Sequence, residues 1–177
     1  MIRAPANEGD VLFGFAGNDI DPSNGLIYAA EVKKKLRDGE YYRDPMFRER
    51  PDCIYEATQG GYEIRKNPFH GNADLTHDLG EAPTFDRANV VLSEHFRYFG
   101  ASRIAIDEPK YPALRERLRA LFQGYRVNHL PAVRADLEEL YKWVFEQPGP
   151  SVRGSPTHPT RRQCDRDDDG EVSCAPR

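Results

Sequence analysis

GDVLFGFAGNDIDPSNGLIYAAEV, residues 9–32, holds two apolar runs, VLFGFAG at 11–17 and GLIYAAEV at 25–32, separated by the turn-rich NDIDPSN. Each run is too short for a globular helix and is rich in the aromatic and β-branched residues that favour a pleated surface. The stretch therefore reads as two strands joined by a polar loop. A period of two places Val11, Phe13 and Phe15 on one face of the first strand, so Phe13 and Phe15 are core residues or ring platforms according to what lies over that face.

Working outward, KKLRDGEYYRDPMFRERPD loses this alternation and carries Asp38-Gly39, Pro45 and Pro51, which suits a short helix or a crossing loop. CIYEA and GYEIR read as two weak strands of a hairpin around Gly60-Gly61. FHGNADLTHDLGEAP, residues 69–83, is expected to be a loop, because Pro68, Gly71, Gly80 and Pro83 interrupt every helical register. NVVLSEHFRYFG, residues 89–100, reads as an apolar strand running into aromatics.

The period then changes. Leu114, Leu118, Leu121 and Phe122 recur at helical spacing, with Pro112 near the start and Gly124 as the stop; Leu137, Leu140, Tyr141 and Val144 form a second stripe that ends at Pro148-Gly149. Two C-terminal helices are expected, with Trp143 in the core or at an interface. From Pro150 onward almost no apolar residues offset ordering entropy, so the chain is read as one domain, 1–149, and a disordered tail, 150–177.

Composition narrows the functions. With 177 residues, 38% hydrophobic and 11% aromatic, the chain can build a real core. No run of about 18 apolar residues is present and the N-terminus lacks the apolar centre of a secretion signal, so a cytoplasmic protein without membrane contact is expected. Cys53, Cys164 and Cys174 do not make a disulfide framework; free thiols are expected, with a Cys164–Cys174 pair open to an oxidising setting. The net charge of −4 opposes non-specific polyanion binding. Residues 97–126 are locally basic, and Arg97 and Arg103 are either part of a solvated, ion-paired face or contacts to phosphate.

His70, Asp74, His77 and Asp78 carry the atom types of a metal site, but no H-E-x-x-H or cysteine pair accompanies them, so the expectation is pocket wall or loop with no metal. In the tail, Asp165, Asp167, Asp169 and Gly170 follow the order of a calcium loop, which fails at Pro176 where a bidentate Glu is needed. Phosphate-loop, dinucleotide and nucleophile-elbow motifs are missing, Ser93 and His95 lack a visible orienting acid, and no catalytic residue or cofactor is assigned.

Taken in order, IRAPANEGDVLFGFAG, LIYAAEV, YYRDPMF, RERPD, FHGNADLTHD and VVLSEHFRYFG resemble the nucleotide modification associated domain 2 family, over about residues 2–148. The resemblance implies an α+β fold: a small PUA-like β-barrel, related to EVE, ASCH and YTH modules, with two C-terminal helices packed on it. It implies a binding module for a modified base or nucleotide in a phage or bacterial modification or restriction setting. A base would insert between aromatic rings and have its edge read by polar groups. The implied ligand-binding set is Phe13, Phe15, Tyr28, Tyr42, Asp44, His70, Asp74, His95 and Tyr98, with Tyr41 a further stacking candidate and Arg97 and Arg103 toward phosphate. The alternatives are a small enzyme using His70, Asp74, His77 or His95, and a protein-interaction domain. Members of the family it resembles begin with a further strand before the Ile2-Arg3 segment, so either the true start lies upstream of Met1 or the barrel lacks a strand; in the second case the edge beside residues 11–17 is open and invites a homodimer. A modification or restriction enzyme is the other implied partner.

Overall fold

The computed structural model describes residues 2–17, 21–66, 72–121 and 124–156, with the backbone alone at 72–74, and the backbone of 165–166 and 172–173. The fold is mixed α+β, with four helices and small antiparallel sheets among the described residues.

The expected strand pair is the centre of the molecule. β1 (Val11–Phe15) pairs antiparallel with β2 (Leu26–Glu31), and β2 pairs on its other side with β7 (Phe96–Tyr98). The β1–β2 ladder matches Gly14 with Tyr28 and then Phe15 with Leu26, skipping Ile27. This bulge brings Leu26 and Ala29, three residues apart, into the same core, both wholly inaccessible to solvent. The apolar strand read at 89–100 is broken by Ser93–His95 into β6 (Val90–Leu92) and β7. β6 pairs with β3 (Lys34–Leu36), and β4 (Tyr55–Thr58) pairs with β5 (Gly61–Ile64) as the expected hairpin. These pairs remain separate, and among the described residues no closed barrel forms.

Two cores result. α3 (Pro112–Arg119) and α4 (Pro131–Glu146) lay Leu114, Leu118, Leu140 and Val144 over the sheet, where they meet Leu26, Ala29 and Phe99. Tyr111 offers α3 no side-chain cap; instead Asp136 of α4 accepts from the Leu114 N–H at 2.8 Å, so α4 satisfies a donor in the first turn of α3. The second core gathers Tyr41, Phe47, Cys53, Tyr55 and Leu79 around α1 (Glu40–Arg43) and the β4–β5 hairpin, with Tyr42 touching both of its halves.

One expectation is overturned. Residues 72–79 of the stretch read as a loop form α2 (Asn72–Leu79). The glycine taken as a breaker closes the helix: Gly80 has φ 90° and its N–H donates to the Thr76 carbonyl at 2.9 Å. The start of the segment assigned to the tail is ordered by backbone bonds rather than by apolar burial: Tyr98 N–H donates to Ser151 O and Arg153 N–H to Tyr98 O, both at 2.7 Å. Val152 thus lies parallel beside Tyr98 as an added edge. Farther on, Asp165–Arg166 pairs with Val172–Ser173, while Asp167, Asp169, Gly170, Cys164 and Cys174 lie outside the described residues. Cys53 is a buried free thiol. No described helix is long and apolar enough to cross a membrane.

Candidate functional site

Helices α3 and α4 pack on one face of the sheet, and alternation sorts the expected rings between that face and the opposite one. Phe13 and Phe15 pack against the helical core with ring centroids 6.4 Å apart. Tyr28 and Tyr98 are cross-strand partners, in line with Gly14 on β1 and Val152 on the outer edge, and they belong to the opposite face.

On that face the missing side chain at Gly14 sets the geometry. A Cβ built on Gly14 would meet the Tyr28 ring, nearest at Cε1, with Cδ1 and Cζ at 2.5 and 2.6 Å. Three neighbouring ring atoms at nearly equal distances describe a point above the ring face rather than beyond its edge. Tyr28 therefore lies across the backbone at Gly14 with its other face turned away from the sheet. Both Tyr28 and Tyr98 are half-buried, and neither hydroxyl has a hydrogen-bond partner among the described residues. Burial raises the Tyr28 hydroxyl above its ordinary pKa, so it is a neutral donor at physiological pH. Leu12, Ala30 and Phe96 share this face and are also half-buried. The arrangement provides a ring platform with two uncommitted hydroxyls.

The remaining expected residues sit elsewhere. His95, in the turn before β7, lies against Phe145 with ring centroids 4.1 Å apart and planes tilted by 39°, and brings its Nδ1 to 3.3 Å from Glu31 Oε2. Tyr141 donates to the same oxygen at 3.4 Å, and Arg97 lies over the Phe145 ring at 5.5 Å. Ser93 Oγ donates to the His95 carbonyl, so it is engaged locally. Tyr42 stands edge-on to Tyr41, Tyr55 and Tyr62 in the second core, and burial raises its hydroxyl while the Arg3 guanidinium opposes that shift. Tyr41 is fully buried, donating to Asp52 at 2.7 Å. Asp44 caps the short turn 45–47 by accepting from Met46 N–H at 2.9 Å. Arg103 pairs with Asp21 at 2.9 Å, holding the loop that leads into β2. His70 and the side chain of Asp74 lie outside the described residues. Asp78 accepts from Tyr55 at 2.8 Å and lies 3.7 Å from Arg3. Among the described residues no three His, Cys, Asp or Glu side chains assemble as a metal site.

Sequence reasoning passed over Gly14, whose signal was a glycine inside an apolar strand, a mark of close approach by another group. It also passed over Glu31 and Tyr141, which only the sheet register and α4 packing bring to His95.

No curated protein and no solved structure matches the chain. The family model for nucleotide modification associated domain 2 matches residues 1–161, nearly the whole chain and all of both cores, and the protein belongs to that family.

Proposed function

We propose that the protein is a cytoplasmic binding module that takes a modified base or nucleotide onto the Tyr28–Tyr98 face of the sheet. The observation that carries this reading is the Tyr28 ring lying over Gly14 with its outer face turned away from the backbone. A heterocycle stacked on such a ring gains about 1–3 kcal/mol, and the two tyrosine hydroxyls supply donors that read its edge. The family's link to nucleotide modification supports a modified base or nucleotide as the ligand. In this reading the sheet with its two helices is the counterpart of a PUA-like core, and the edge of β1 that has no paired strand among the described residues is where a second copy or a modification or restriction enzyme docks.

The site set is narrower than the sequence-based one. Tyr28 and Tyr98 stack or bracket the ligand, while Phe13, Phe15 and Tyr42 support the two cores. Binding of modified and plain mononucleotides, single strands and duplexes, measured side by side, tests the reading. A modified ligand held at least tenfold more tightly than its plain counterpart is the expected result, and equal affinity for both removes it. A single strand or mononucleotide should bind better than a duplex, because extrusion of a base costs about a few kcal/mol.

A further inference from the structure

A second site emerges where the β4–β5 hairpin meets the turn before it. The ladder matches Tyr55 with Ile64, and Arg65 N–H extends it by donating to Ile54 O at 2.8 Å. The chain entering β4 and the chain leaving β5 therefore run side by side, and two short basic sequences far apart in number, Arg48–Arg50 and Arg65–Lys66, become neighbours. Between them is a recess of about 370 Å3 lined by Arg48, Glu49, Arg50, Cys53, Arg65 and Lys66.

Its guanidinium groups are held in place. Arg65 Nη1 donates to the carbonyls of Arg48 and, at 3.3 Å, Cys53. Arg48 reaches Glu56 at 2.6 Å, and Arg50 forks onto Asp52 at 3.0 and 3.2 Å. A guanidinium has five N–H donors, so Arg48 and Arg50 keep donors beyond these bonds. The Lys66 ammonium is exposed and has no partner among the described residues. Four positive side chains face three negative ones, Glu49, Asp52 and Glu56, in a chain whose overall charge is −4. Burial pushes the Cys53 thiol above its ordinary pKa, with the Arg65 guanidinium partly opposing, so the floor adds no negative charge at neutral pH.

We propose that this recess binds a phosphoryl group, either of a free nucleotide or of a nucleic-acid strand. Anchored arginines that approach from both sides of the hairpin match the several oxygens of a phosphoryl group, with Lys66 closing on it as a mobile point charge. Arginines fixed before binding also lose less side-chain freedom when the ligand arrives. The inference goes beyond the aromatic face and does not depend on it.

Titration of the full chain with pyrophosphate, a probe with no base, is the test. Saturable binding is expected, weakened at least tenfold by Arg48→Glu and by Lys66→Glu and little changed by Arg126→Glu, an exposed arginine elsewhere. Circular dichroism and melting temperature check that each variant is folded. Tyr28→Ala should leave pyrophosphate binding intact, so failure here is distinguishable from failure of the base-reading proposal. An unmodified single strand bound more tightly than pyrophosphate assigns the site to a strand backbone, and a nucleoside triphosphate bound more tightly than the strand assigns it to free nucleotides; either supports the proposal. Absence of saturation with all three probes, or an equal loss in Arg126→Glu, overturns it.

Discussion

The ring of Tyr28 occupies the space that a side chain at Gly14 would need, with Cδ1 and Cζ 2.5 and 2.6 Å from an ideal Cβ. Gly14→Ala removes the entropic handicap of a strand glycine but forces the ring away, and at such distances the steric effect dominates. The variant should lose about 1–3 kcal/mol of stability in urea denaturation, as expected for overpacking. An unchanged or raised midpoint would mean that the ring moves aside freely and is no fixed platform.

The loop leading into β2 should respond to acid. The Ser23 hydroxyl foremost, with the Gly25 and Ser23 N–H groups and the Arg103 guanidinium, holds the Asp21 carboxyl down at about 2 against the opposing effect of partial burial. The folded-state value lies below the unfolded one, so its stabilisation is fully present above the ordinary carboxylate range and is lost as pH falls toward 2. Denaturation midpoints measured between pH 5 and 2 should fall less steeply in Asp21→Asn than in the parent chain. Parallel curves would show that other carboxylates govern the acid limb.

Removing the donor link between the C-terminal helices should be costly. Asp136→Ala leaves the Leu114 N–H without its 2.8 Å acceptor, a loss comparable to that of an N-cap, about 0.5–2 kcal/mol. Chemical denaturation measures it directly, and Asp136→Asn should recover most of the stability because its amide oxygen also accepts.

Chelation discriminates the binding module from a metal-dependent enzyme. His77 on α2 and His95 before β7 belong to different elements, and His95 is already committed to Glu31 and Phe145. Ligand affinity should be the same with and without EDTA. A tenfold drop would point to a metal held partly by residues such as His70.

How much of this was legible in the sequence depended on whether the signal was local. Val11, Phe13 and Phe15 at period two, and Leu114, Leu118, Leu140 and Val144 at helical spacing, announce their elements because burial repeats with the geometry of the element itself. α2 is hard to read from the sequence because Gly71 and Gly80 look like breakers, although a glycine just past a helical stretch is equally a stop, and Gly80 in the left-handed region serves as one. The break at Ser93–His95 and the bulge at Ile27 depend on partners far away in number. So does the site: the match of Tyr28 with Tyr98 is a matter of strand register, and the bond from Arg65 to the Arg48 carbonyl joins residues far apart in number, neither of which a single window contains.

Stacking on Tyr28 is most directly measured by proton NMR of a modified mononucleotide titrated with the parent chain and with Tyr28→Ala. The account predicts that base protons shift upfield on binding, from lying over the ring, and that Tyr28→Ala abolishes the shift and weakens affinity by about 5- to 150-fold, the equivalent of 1–3 kcal/mol. Equal affinity in the two proteins, with base shifts unaltered, would contradict it.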